Sequence, residues 1–183
     1  MKWIPYVVIM LLVCSPVIAE TPQEEAERLQ QEALQCCSEL AGDLAAYQMG
    51  VTQTTMQKSY ALDMREAARQ AGASWEELHP GDVLVTAGNT KVNQAAAQLP
   101  DFQARKEDVN QAYDDGNGKM WMSPPSWEGA IYCFGRAIDY YGDAEPLGNQ
   151  LVGTINGAGS KYFEAYSWWF NVWMNHQGYP GMP

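Results

Sequence analysis

The chain has 183 residues, with 22 Asp and Glu against 11 Lys and Arg, a formal charge of −11, and 46% hydrophobic residues. That apolar share is too high for a disordered chain and suits a packed globular one. The negative charge excludes a protein that neutralises nucleic-acid phosphates, and it opposes electrostatic docking on anionic lipid.

Residues 1–19 read as a secretory signal peptide. Lys2 is the single charge before Glu20, an apolar run extends from Trp3 to Val13, and Val17 and Ala19 put small residues at the −3 and −1 positions of a cleavage site. Pro5 and Pro16 interrupt the run, which falls short of the roughly 20 apolar residues of a membrane span. No stable transmembrane anchor is expected after cleavage, and Cys14 leaves with the leader. Export, with the bacterial periplasm as the expected destination, places Cys36, Cys37 and Cys133 where thiols tend to pair. Three is odd, so one thiol is left over. A bridge between the adjacent Cys36 and Cys37 would distort a helix. The expected disulfide therefore joins Cys37 or Cys36 to Cys133, which stands beside the small residues Ala130 and Ala137.

Residues 20–183 are expected to form a single helical domain. Thr21, Pro22 and Glu24 open the first helix as a capping box. Leu29, Ala33, Cys36, Leu40, Leu44, Tyr47 and Val51 recur at spacings of three and four, so that helix has one apolar stripe. Poor helix formers between Gly50 and Thr55 predict a kink or break. The apolar pattern resumes with Met56, Tyr60, Met64 and Ala67 and ends near Gly72. Ser74 and Glu77 form a second capping box, which His79-Pro80-Gly81 is expected to stop after about one turn. Val83-Leu84-Val85 is the one β-like run. Asn89 opens a helix that ends before Pro100, and Asp101 caps another that runs to Tyr113. Asp114 to Gly118 is turn chemistry. Ser123-Pro124-Pro125 starts another helix, with Trp127, Ile131, Phe134, Ile138 and Tyr141 on one face. Five glycines and a proline between 142 and 159 predict a loop, and a last helix runs from Ser160 to Asn175. The expected fold is an all-α, irregular bundle of five or six helices with at most one short extended segment.

Two stretches carry faint resemblances. The Pro80-Gly81-Asp82 turn before Val83-Leu84-Val85 resembles a short stretch in papain-like bacterial cell-wall endopeptidases, in which a nucleophilic cysteine lies upstream. Cys37-Ser38 lies upstream here, but in mid-helix rather than at a helix N-terminus. No histidine follows the turn before His176 to serve as its base. The stretch Tyr113 to Met120 resembles the first half of an EF-hand loop. It lacks a residue between Asp114 and Asp115, and Pro124 and Pro125 stand where the bidentate Glu belongs. No metal site or cofactor is expected: there is no His-x-x-x-His, no Cys-x-x-Cys and no phosphate-binding glycine loop.

Six of the seven tryptophans lie beyond the leader. Such residues favour interfaces. In the last helix Tyr162, Tyr166, Trp169, Phe170 and Trp173 share one arc, while Trp168 falls among the polar residues. Trp169 and Trp173 are expected to be buried, and Trp168 to be partly exposed on a binding surface. The functional expectation is a secreted or periplasmic, non-catalytic helical protein that binds another envelope protein as adaptor, accessory subunit or inhibitor. The alternative is a cell-envelope hydrolase using Cys37 or a carboxylate pair.

Overall fold

A computed structural model describes residues 20–179; the leader expected at 1–19 lies outside them. The fold is all-α, as expected, and no strand occurs among the described residues. It consists of three long helices rather than five or six: α1 (Pro22–Gln70), α2 (Trp75–Met120) and α3 (Trp127–His176). At 49, 46 and 50 residues each is roughly 70–75 Å long. Both predicted capping boxes are present, Thr21 with Glu24 and Ser74 with Glu77. The second one opens a full-length helix instead of a single turn.

The first helix ends near Gly72 as expected, but the helices continue through the breaks predicted at 50–55, 79–81, 100, 114–118 and 142–159, because their buried residues repeat every seven positions. In α1 the repeat is Ala26, Ala33, Leu40, Tyr47, Thr54, Ala61 and Ala68. In α2 it is Gly81, Gly88, Ala95, Phe102, Val109 and Gly116. In α3 it is Ala130, Ala137, Ala144, Leu151, Ala158, Ala165 and Val172, and beside it Phe134, Gly148, Ile155, Tyr162 and Trp169. A seven-residue apolar repeat keeps one seam facing its neighbour over many turns, which is how long helices pack side by side. Several of the glycines that suggested turns and loops are sockets in that seam, whereas Gly118, Gly142 and Gly153 have open space around them. A Cβ placed on Gly81 would lie 2.3 Å from the Trp169 indole, one on Gly88 2.6 Å from the Tyr162 ring, and one on Gly116 2.4 Å from the Phe134 ring. Gly148 reverses the pattern, with Phe102 of α2 packed towards it. Pro80, Pro100 and Pro146 also lie inside helices. None of the three is buried, so the backbone bond each one forfeits can be replaced by water.

α3 is the central helix and packs extensively on both others, whereas α1 and α2 touch each other far less. α2 runs antiparallel to α3, with Gly81 beside Trp169 at one end and Gly116 beside Phe134 at the other. α1 runs parallel to α3, with Glu39 beside Tyr141, Gly50 beside Ile155 and Thr54 beside the Ile155 carbonyl. The thinner α1–α2 seam is polar at intervals. Gln30 donates to Asn117 at 2.6 Å, Lys58 to Asn89 at 2.8 Å, and Arg65 forms a two-pronged ion pair with Asp82 at 2.6 and 3.0 Å.

The expected disulfide is not formed. Cys36, Cys37 and Cys133 are all free thiols. The parallel register of α1 and α3 explains this. It sets Tyr141 beside Glu39, so Cys133, two turns before Tyr141, stands level with residues one to two turns below Cys36. At 1.5 Å per residue that offset alone is about 6–12 Å, at or beyond the reach of a disulfide. Burial pushes the Cys36 thiol up to about 11, with Glu39, Cys37 and Glu32 adding to the effect, and burial also raises that of Cys37. At pH 8 Cys36 is therefore expected to react with iodoacetamide at least tenfold more slowly than a free thiol, and to reach the free rate once unfolded. A native rate equal to the denatured rate would contradict this burial.

Candidate functional site: an apolar groove between α1 and α3

Not all of the second half of the predicted α1 stripe faces the core. Thr54, Ala61 and Ala68 carry the buried repeat there, and Met56 and Tyr60 face outward. Tyr60 shares a hollow with Phe163 of α3, and Phe170, one heptad beyond Phe163, is exposed as well. Tyr60 and Phe163 are each 61% exposed. Between the two helices lies a cavity of about 380 Å³ lined by Gln57, Tyr60, Asp63, Met64, Phe163 and Tyr166. A more polar hollow continues it past Gln53, Asn156 and Ser160, and Met49 and Met56 border a third. The α3 side is stiffened by ring contacts, Tyr166 with Phe170 at 6.2 Å and Phe170 with Trp173 at 6.0 Å. The result is an α1–α3 furrow that is apolar where Tyr60, Met64, Phe163 and Tyr166 line it and polar where it continues past Gln53, Asn156 and Ser160.

The three tryptophans near the end of α3 separate as the helical arc predicts, in part. Trp169 is fully buried, Trp173 is half-buried, and Trp168 is 43% exposed. Trp168 does not face the furrow. Its indole Nε1 donates to the Glu77 carbonyl at 2.8 Å, on the α2 side of α3, just as Trp169 Nε1 donates to the Leu78 carbonyl at 3.0 Å. In the same first turn of α2, Trp75 stacks on His79 at 4.5 Å.

His176 closes the same end. Its Nε2 lies 3.2 Å from both carboxylate oxygens of Glu77, so the last turn of α3 is tied to the first turn of α2. The Ser74 backbone N–H, and after it His176, hold the Glu77 carboxyl below its ordinary value. Glu24 is lowered by its own capping box, and Glu66 is brought to about 2 by Arg69 and Gln70. A carboxyl lowered in the folded state stabilises above its unfolded value near 4.5 and loses that contribution as pH falls through its folded value. Melting temperature is therefore expected to fall progressively below about pH 4.5. Glu77→Gln is expected to flatten part of that slope, and an unchanged slope in thermal melts would remove Glu77 from the account.

The catalytic alternative finds no such convergence. Cys37 lies on α1 near Lys106 and Asp114 of α2. His79 and His176 both sit at the opposite end of the bundle, around Glu77. Among the described residues no three of His, Cys, Asp and Glu gather closely enough to hold a metal ion. The Asp114–Gly118 stretch, which resembled half a calcium loop, is helical, so its carboxylates splay along a helix. No described helix is long and apolar enough to cross a membrane. The furrow itself was missed in the sequence, because Met56 and Tyr60 fit an apolar period equally well whichever way it faces. Compared with known proteins, the chain matches no family, no curated protein and no solved structure.

Proposed function

We propose that this is an exported, non-catalytic protein of the cell envelope that binds another envelope or secreted protein through the α1–α3 furrow. The observation that supports the reading is the apolar hollow between α1 and α3 that Tyr60 and Phe163, both largely exposed, line together with Met64 and Tyr166. Monomeric proteins seldom leave contiguous aromatic and methionine surface in water without using it. The hollow takes an amphipathic segment with two or three apolar anchors spaced along the furrow, the helix-in-groove mode of recognition. Asp63 lines the furrow and Glu164 borders it, in a chain of charge −11, so the fitting segment carries Lys or Arg beside its anchors. Trp168 serves this reading as a clasp between α3 and α2 and as a second, smaller contact. The hydrolase reading has weaker support, since Cys37 has a raised thiol and lies far from either histidine.

A photoreactive phenylalanine analogue at position 163, irradiated in the native envelope fraction, is expected to capture one dominant protein. The same analogue at exposed Tyr132, whose neighbour is Arg136 of the same helix, is expected to capture none. Phe163→Ala is expected to weaken binding of the captured protein at least tenfold with little change in melting temperature. Equal capture from both positions, or none from position 163, would rule out the furrow.

A further inference from the structure

We infer that the cavity where Lys58, Asn89 and Tyr162 meet is a binding site for a small organic carboxylate with a short hydrocarbon tail. It lies where all three helices approach and has a volume of about 350 Å³, at the lower end of small-ligand sites. One wall is apolar: Val51, Val92 and Ile155. The opposite side gathers donors. Lys58 Nζ and the Tyr162 hydroxyl each donate to Asn89 Oδ1 at 2.8 Å. Two donors on one amide oxygen fix its orientation and leave the Asn89 NH2 group to donate. Lys58 keeps two further protons, and Asn93 adds a second amide at the rim.

The charge pattern sets the ligand's sign. Acids outnumber bases two to one in this chain, yet no carboxylate lines the cavity and none of the described residues forms an ion pair with Lys58. Asp82, a carboxylate of the same α1–α2 seam, is already engaged by both prongs of Arg65. A half-buried ammonium whose partners are a neutral amide and the Tyr162 ring keeps its full charge, which a carboxylate would balance. The three branched aliphatic side chains opposite accept a tail of a few carbons, which excludes inorganic anions as the best-fitting ligand. The site stands on the three-helix junction and is independent of whether the α1–α3 furrow binds protein.

The test is titration of the full chain with sodium hexanoate, followed by calorimetry and by amide and side-chain NMR shifts. Acetate and hexanol supply the head and the tail separately. Hexanoate is expected to bind saturably, to shift Lys58, Asn89 and Asn93 signals, and to bind at least tenfold more tightly than acetate or hexanol. Lys58→Gln is expected to weaken hexanoate at least tenfold. Asn93→Asp is exposed, carries no fold burden, and is expected to weaken it similarly by placing a carboxylate at the rim. Hexanol binding as tightly as hexanoate would make the cavity merely apolar and overturn the proposal. So would absent hexanoate binding, or unchanged affinity in a folded Lys58→Gln or Asn93→Asp variant.

Discussion

Gly81→Ala and Gly116→Ala are each expected to destabilise the protein by about 1–3 kcal/mol, although alanine is the better helix former by about 1 kcal/mol. The sign follows from the sockets. At both positions the new Cβ would lie within 2.4 Å of a buried ring, far inside van der Waals contact. Trp169 and Phe134 are fully buried and enclosed, so neither ring can swing away into solvent. Gly153→Ala is the control. It lies in the same class of helix, is exposed, and nothing stands within 4 Å of its Cβ position. There the propensity gain acts alone, and a stabilisation of up to about 1 kcal/mol is expected. Denaturant unfolding of the three variants decides the matter. Stabilisation by all three would mean that the glycines merely weaken the helices and pack nothing.

That contrast also explains what the sequence conceals. The all-α class was legible because apolar residues recur at helical spacing, and the Thr21 and Ser74 caps were legible because a capping box is local chemistry. The helix count was not. Gly81, Gly88, Gly116 and Gly148 lower local helix propensity, and a reading by propensity breaks the chain at each of them. Their value appears only when the partner ring is known, and Trp169, Tyr162, Phe134 and Phe102 all lie on a different helix from the glycine they fill. The seven-residue spacing of these glycines with Ala95, Phe102 and Val109 was the available signal. It mixes the smallest and largest residues at one register position, so it does not register as a hydrophobic period. The furrow was hidden for a related reason. At the end of α1 the core is built from Thr54, Ala61 and Ala68, while Met56 and Tyr60, the larger residues, face outward. Size and hydrophobicity pointed to the wrong face. The cysteine pairing failed on register: the α1–α3 alignment is set by contacts such as Glu39 with Tyr141, which no local pattern encodes.

Trp169→Ala is expected to be the most damaging single change in the bundle, at about 3–5 kcal/mol and a melting-temperature loss on the order of 10 °C. Trp169 is among the largest fully buried side chains, and its indole N–H also satisfies the Leu78 carbonyl. The neighbouring Trp168→Phe removes only an indole bond to Glu77 from a side chain that is 43% exposed, so about 1 kcal/mol is expected. A double-mutant cycle locates the effect. Once Trp169 is shortened to Leu, the space above Gly81 opens, and Gly81→Ala should lose most of its cost. A coupling energy of about 1–3 kcal/mol is expected for the pair Gly81 and Trp169. Gly116 lies five seven-residue repeats further along α2, about 50 Å away. Its substitution should add to Trp169→Leu without coupling. Coupling at Gly81 with additivity at Gly116 would show that each glycine serves its own ring, so that stability is distributed along the bundle socket by socket. Equal costs of Gly81→Ala with and without Trp169 would show instead that the glycine and the indole do not share a packing site.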